Sequence, residues 1–121
     1  YAGVITKFLD KIKKNQPLTV NGNGTQIRDF VSIYDVVHSI NKAIEYQKNG
    51  IFNIAAGTGI TINQLSKLMI SLSGKKLDIQ NASSKQGEIK YSQADISLAK
   101  EKLRYIPKVD LKEGIKKLLD N

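Results

Sequence analysis

The chain has 121 residues, 40% of them apolar and 25% charged, with a net charge of +8. That length and balance fit one domain with a buried core and exclude a disordered chain. No apolar run reaches the roughly 18 residues of a membrane span, so a soluble chain with no membrane partner is expected. The lack of cysteine and the single histidine exclude disulfides and leave no basis for a structural metal site.

The positive charge raises the question of a polyanionic partner. The lysines are spread along the chain and fall mostly on the polar sides of predicted helices. That favours a solvated surface, and no nucleic-acid partner is expected. The chain opens at Tyr1, and helical periodicity is present from residue 2 or 3. With no leader in view, an excised piece of a longer protein is expected.

Residues 3–14 form an amphipathic helix with Val4, Ile5, Phe8, Leu9 and Ile12 on one stripe, and Pro17 prevents its continuation;. Residues 17–20 are a short strand, "NGNG" is a turn, and 27–33 is a second extended segment;. Asp35 has the place of an N-cap. The helix after it runs to about Gln47, with Val36, Val37, Ile40, Ala43 and Ile44 as its buried stripe and His38 on the solvent face.

"IFNIAAG", residues 51–57, is an apolar run between glycines, the pattern of a strand buried on both faces;. Thr61 and Gln64 make a capping box. The helix they open carries Ile62, Leu65, Leu68, Met69 and Leu72 and stops at Gly74. A third strand is expected over 76–80, then a long polar loop. Asp95 caps a short helix carrying Ile96, Leu98, Ala99 and Leu103. Asp110 and Glu113 repeat the capping pattern before a last helix that buries Leu111, Ile115, Leu118 and Leu119. Strands and helices mix without strict alternation, so the fold class is α+β or a piece of an α/β protein.

No set of titratable groups suggests acid–base or nucleophilic catalysis. "AAGTGIT" resembles a phosphate cradle but lacks the spacing of a dinucleotide fingerprint and the ending of a P-loop. Its glycines are expected to turn the chain between strand and helix. Arg28 offers a planar fork for phosphate oxygens, with Asp29 beside it. The residues alone leave two readings open: an anion ligand, or an Arg–Asp pair that fixes the loop. In "KQGEIK", Lys85 and Glu88 are three apart across Gly87. They either share a nucleotide, cation on phosphate and carboxylate on ribose, or form a solvated charged loop.

Three blocks in order carry a resemblance. They are "G-x-Q-x-R-D-F-V-x-x-x-D-V-V" from Gly24, "F-N-I-A-x-G" from Phe52, and "Q-A-D-I-S-x-A" from Gln93. With them the whole chain resembles the C-terminal, substrate-binding part of the NAD-dependent epimerase/dehydratase family. These are the extended short-chain dehydrogenase/reductases of nucleotide sugars, and the likeness is closest to UDP-glucose 4-epimerase-like members. The resemblance implies that residues 1–121 are one nucleotide-sugar-binding domain, with helices on a short mixed sheet. It would be the smaller half of a two-domain α/β Rossmann-type enzyme. The Rossmann half would hold NAD, the catalytic Tyr-x-x-x-Lys pair and the contacts of a homodimer.

By the same resemblance Arg28 contacts the diphosphate of a UDP-sugar. The strand end at Val20 and Asn21 passes the nucleobase and ribose, with Asn21 where relatives carry an aromatic ring. Lys85 replaces an arginine on phosphate, Glu88 is the ribose acid, and the helix start at Gly3 and Val4 faces the nucleotide. The implied parent is a cytoplasmic UDP-glucose/UDP-galactose 4-epimerase, and the piece itself, without catalytic, cofactor or metal residues, is inactive. Other outcomes for the chain are part of a nucleotide-sugar dehydratase, a basic polyanion-binding module, or a structural subunit.

Overall fold

The computed structural model describes residues 3–121. Helix α1 spans Val4–Lys13, strand β1 Leu18–Asn21, β2 Ile27–Arg28, α2 Ile33–Glu45, β3 Ile60–Thr61, α3 Ile62–Ser73, β4 Ile79–Ala82 and α4 Leu111–Leu119, with a π-helical turn over Ala99–Leu103. The class is α+β, as expected. The single mixed sheet resolves into two small ones. β1 and β4 pair in parallel, Leu18 opposite Ile79, and β2 and β3 pair antiparallel, Ile27 opposite Thr61. The expected start of α1 at residue 2 lies outside the described residues.

The main core sits between the first sheet and three helices. Phe8 and Ile12 of α1, Leu18 and Val20 of β1, Ile62, Leu65 and Met69 of α3, and Ile115 of α4 pack together there. Each helix brings one apolar stripe at the 3.6-residue period, and β1 brings alternate residues. Local signals end these elements. Thr61 Oγ1 accepts from the Gln64 amide while Gln64 Oε1 accepts from the Thr61 amide, which is the reciprocal capping box;. Gly74 closes α3 in the left-handed conformation, φ 71°;. Asp110 caps α4 through the Glu113 amide, and Lys75 donates to the Ile12 carbonyl at the end of α1.

A second core holds Ala55, Ile96, Ala99, Leu103 and Tyr105. Asp95 opens that region by accepting from the Ser97 amide at 2.9 Å. The hydrogen bonds from Ser97 hold the Asp95 carboxyl below the ordinary aspartate range. Leu98, expected in the buried stripe, is exposed, because the helix widens to the π form one residue later. Leu118 of α4 is likewise exposed.

The largest departures from expectation concern α2 and the segment after it. The N-cap is Ser32, whose Oγ accepts from the Tyr34 amide, and not Asp35. Asp35 is instead buried in the first turn and accepts from the amides of Lys108 and Val109, at 2.9 and 3.1 Å. That contact turns the helix. Asp35 and Ser39 face inward, and the apolar side, with Ile33, Tyr34, Val37, Ile40 and Ile44, faces out. His38, expected in solvent, is half-buried with its ring 6.3 Å from that of Tyr105.

Residues 51–57 form no strand, and of 27–33 only Ile27 and Arg28 pair in one. The third expected strand, 76–80, starts three residues later and runs over 79–82.

Leu65 is fully buried at the centre of the main core. Leu65→Ala should lower unfolding stability by about 2–5 kcal/mol, the cost of lost apolar burial plus a residual cavity. Urea denaturation with an unchanged m value would measure it.

Candidate nucleotide-binding site

The site residues lie where β1, β2 and the 83–92 loop meet. The turn after β1 is tight for identifiable reasons. Asn23 Oδ1 accepts from the amide and hydroxyl of Thr25, and Asn63 at the start of α3 donates to the Asn23 carbonyl. Gly24, φ +71°, lies so close to Asn63 and Val20 that no side chain fits there;. The chain then enters β2, and the Ile27 amide and carbonyl bond the backbone of Lys90 and Ser92. β2 is thereby held between β3 and the loop that carries Glu88.

Arg28 and Glu88 come together. Arg28 Nη2 lies 3.8 Å from Glu88 Oε1, both side chains about a quarter exposed. Arg28 Nη1 donates to the Ile27 carbonyl at 2.8 Å, which aims the guanidinium along the strand end. Gln26, which sequence reasoning passed over, joins them: its Nε2 donates to Glu88 Oε1 and to the Asn21 carbonyl, both at 3.2 Å. Only the "Q-x-R" spacing pointed to it.

Asp29 does not orient Arg28. Its carboxylate turns the other way and accepts from three backbone amides, those of Ala56 at 2.9 Å, Gly57 at 3.0 Å and Ala94 at 3.2 Å. Gly57, φ +77°, thus presents its amide to Asp29, and Gly59 is crowded by Gln93 and Ile27. At "AAGTGIT" the amides of Ala56 and Gly57 are therefore taken by Asp29. The glycines turn the chain, as expected.

The other expected residues are less convergent. Val20, expected beside the nucleobase, is fully buried in the main core, backbone and side chain alike, and offers no surface to a ligand. Asn21 is half-buried at the end of β1. Lys85 is exposed on the loop, its carbonyl accepting from the Glu88 amide in a turn through Gly87, φ +79°. Gly3 is the N-cap of α1 without a side-chain cap, and Val4 packs against the main core. Among the described residues, none of these side chains bonds Arg28 or Glu88.

Two surface depressions flank this region. One of about 390 Å³ is lined by Gly57, Tyr91, Gln93, Asp95 and Lys100, and one of about 610 Å³ by Gly22, Asn23, Asn63, Lys67 and Asn81. Neither of the two includes Arg28 or Glu88, whose side chains are each about a quarter exposed.

The corner is braced from behind by Tyr105, whose hydroxyl donates to the Ala55 carbonyl at 2.7 Å. Burial, then the carboxylates of Asp35 and Asp29, push the Tyr105 hydroxyl above the ordinary tyrosine pKa. An unfolded tyrosine titrates near pH ~10. Above that, the unfolded chain loses this proton before the folded one does. The contribution to stability is therefore complete below pH ~10 and falls as pH rises. Tyr105→Phe should cost about 0.5–1.5 kcal/mol at neutral pH and should flatten the alkaline loss. Denaturation midpoints on both sides of pH ~10 would read both effects.

Comparison with known proteins gives the same outline. The model of the GDP-mannose 4,6 dehydratase family matches residues 2–118. A UDP-glucose 4-epimerase from Thermotoga maritima, solved with UDP-glucose, is similar at 35% identity and a TM-score of 0.93, over 98% of this chain and 38% of that one. A Bacillus cereus UDP-glucuronic acid 4-epimerase, solved with UDP-glucuronic acid and NAD, is similar at 32% identity and a TM-score of 0.89, over 98% and 38% of the two chains. A UDP-glucuronate 4-epimerase from Thermodesulfobacterium geofontis is 31% identical over 117 residues, 96% of this chain and 36% of the relative. This chain thus spans under two fifths of the length of the relatives it matches. With the family model covering nearly every residue, from the first helix through the Arg28 corner to α4, the chain belongs to the GDP-mannose 4,6-dehydratase family.

Proposed function

We propose that these residues are the nucleotide-gripping domain of an NAD-dependent UDP-sugar 4-epimerase, with UDP-glucose and UDP-galactose as its pair of substrates. The observation that carries this reading is the partly exposed Arg28 guanidinium beside Glu88, fixed at the end of a strand braced on both edges. Arg28 takes the diphosphate, for which its fork geometry is suited. Glu88 accepts from ribose hydroxyls, and Lys85 adds charge from the end of a long, flexible side chain. The backbone at Asn21 runs beside the base, and the start of α1 at Gly3 and Val4 favours phosphate. The anchored nucleotide leaves the sugar free to turn. The hydride chemistry belongs to NAD, and no residue of this chain is assigned to it.

The relatives' names support the 4-epimerase reading over a dehydratase. A polyanion-binding module is supported by nothing beyond net charge. The reaction belongs to the rest of the parent protein, a cytoplasmic homodimer in this reading.

Two surfaces suit a companion Rossmann domain. The outward face of α2 exposes Ile33, Tyr34, Val37, Ile40 and Ile44. The segment after it, 51–54, alternates like a strand, with Ile51 92% exposed and Phe52 against Tyr46. Among the described residues it makes no backbone–backbone hydrogen bond. A helix joined by a short loop to an unpaired apolar strand is half of a β–α–β layer. The sheet of the companion domain would pair with 51–54 and lie under the apolar face of α2.

Conversion of UDP-galactose to UDP-glucose by the full-length protein tests the activity, and its absence with both sugars would overturn it. Arg28→Ala should weaken UDP binding to that protein by about 1.5–3 kcal/mol, measured by calorimetry. For the domain contact, hydrogen exchange of the full-length protein should show the amides of 51–54 protected over hours. Exchange within seconds would exclude the strand pairing.

A further inference from the structure

Gln26 is a buried polar residue, 8% exposed, in the strand that carries Arg28. Its amide nitrogen faces two groups that only accept, the Asn21 carbonyl and the Glu88 carboxylate. Those partners fix which end of the amide points where. They also lie on different segments: the end of β1, and a loop 62 residues further along the chain. Within the site, one side chain therefore ties the strand beside the base to the loop acid.

The bond falls on one particular oxygen. Glu88 Oε1 takes the Gln26 hydrogen bond and is also the oxygen 3.8 Å from Arg28 Nη2. The Arg28 contact is too long for a hydrogen bond, and so Gln26 is what holds the carboxylate. Oε2 has no hydrogen bond among the described residues. A carboxylate free to swing onto Arg28 would neutralise it and repel an arriving phosphate. One tethered through Oε1 leaves the guanidinium available and presents Oε2 to hydroxyl donors.

We propose that Gln26 is the positioning residue of this site, holding Glu88 so that its second oxygen reads the ribose hydroxyls while Arg28 takes the diphosphate. The inference rests on the nucleotide-binding reading above and adds a residue to it. Gln26 touches no ligand in this role. It sets the selectivity for ribose, not the strength of phosphate binding.

The test compares UDP with 2′,3′-dideoxy-UDP in calorimetry of the full-length protein. The wild type should prefer UDP by about tenfold or more, the scale of a hydrogen bond to a carboxylate. Gln26→Leu, which fills the same space without a donor, should lose most of that preference while binding dideoxy-UDP as the wild type does. Gln26→Glu keeps the shape of the side chain. It should lack the preference at pH 8 and regain it near pH 5, where the introduced carboxyl carries a proton to donate to Glu88. A purely structural role for position 26 would not restore selectivity with pH.

A wild-type preference in either variant at pH 8 overturns the role of Gln26. If Gln26→Leu does not fold, the pH response of Gln26→Glu decides. Equal binding of the two nucleotides by the wild type overturns the ribose role of Glu88, and this proposal with it. No UDP binding at all overturns the nucleotide reading itself.

Discussion

The Asp29 carboxylate accepts hydrogen bonds from the amides of Ala56, Gly57 and Ala94, and so joins three segments distant in sequence. Amides drawn away from water need partners, and here one side chain supplies all three of these half-buried ones;. With Asp29 turned inward, Arg28, the residue before it in an extended chain, points the other way, since alternate residues face opposite sides. The adjacent pair "RD" is therefore no ion pair. It is a division between a bracing residue and a reaching one. The Tyr105 hydroxyl on the Ala55 carbonyl and the Asp35 carboxylate on the 108–109 amides extend the same brace outward.

This brace explains a small site on an irregular frame. β2 and β3 are two residues each, too short to hold a guanidinium in place by their ladder alone;. What fixes Arg28 is the set of side-chain bonds to backbone around it, together with the crowding at Gly24 and Gly59. Hydrogen bonds to a charged acceptor are stronger than neutral ones. Three on Asp29 give a rigid corner in a region with little regular structure.

How much of this the sequence disclosed depended on range. The capping box at Thr61 and Gln64 and the stop at Gly74 are local, and each has the structure its spacing implied; at Asp110 the cap forms through the Glu113 amide, without the reciprocal bond of a full box. The stripes of α1 and α3 were legible for the same reason. Asp35 was misread because its partners lie 73 and 74 residues away. From spacing alone, a carboxylate near a helix start has the form of a cap. Gln26 escaped notice because a glutamine carries no signal until its partner is known. The Arg28 corner was found as a candidate from residue type, but the direction each side chain of the pair takes was not readable.

Helix α2 shows how far context overrides pattern. Its polar residues Asp35 and Ser39 are buried and satisfied, Asp35 by amides of the 108–109 segment and Ser39 by the Val36 carbonyl. Its apolar residues face out, with Ile44 76% exposed. An amphipathic stripe gives the orientation of a helix only when the core it meets is part of the same chain segment. Here specific polar contacts anchor one side, and the hydrophobic side stays exposed among the described residues. The unpaired run 51–54 has the same character: its residues have strand pattern, but a strand exists only with a neighbour. Both features belong to one apolar surface that the described residues leave uncovered. Arg28 and Glu88, by contrast, are held side by side through bonds made within the described residues, Gln26 to Glu88 and Arg28 to the Ile27 carbonyl.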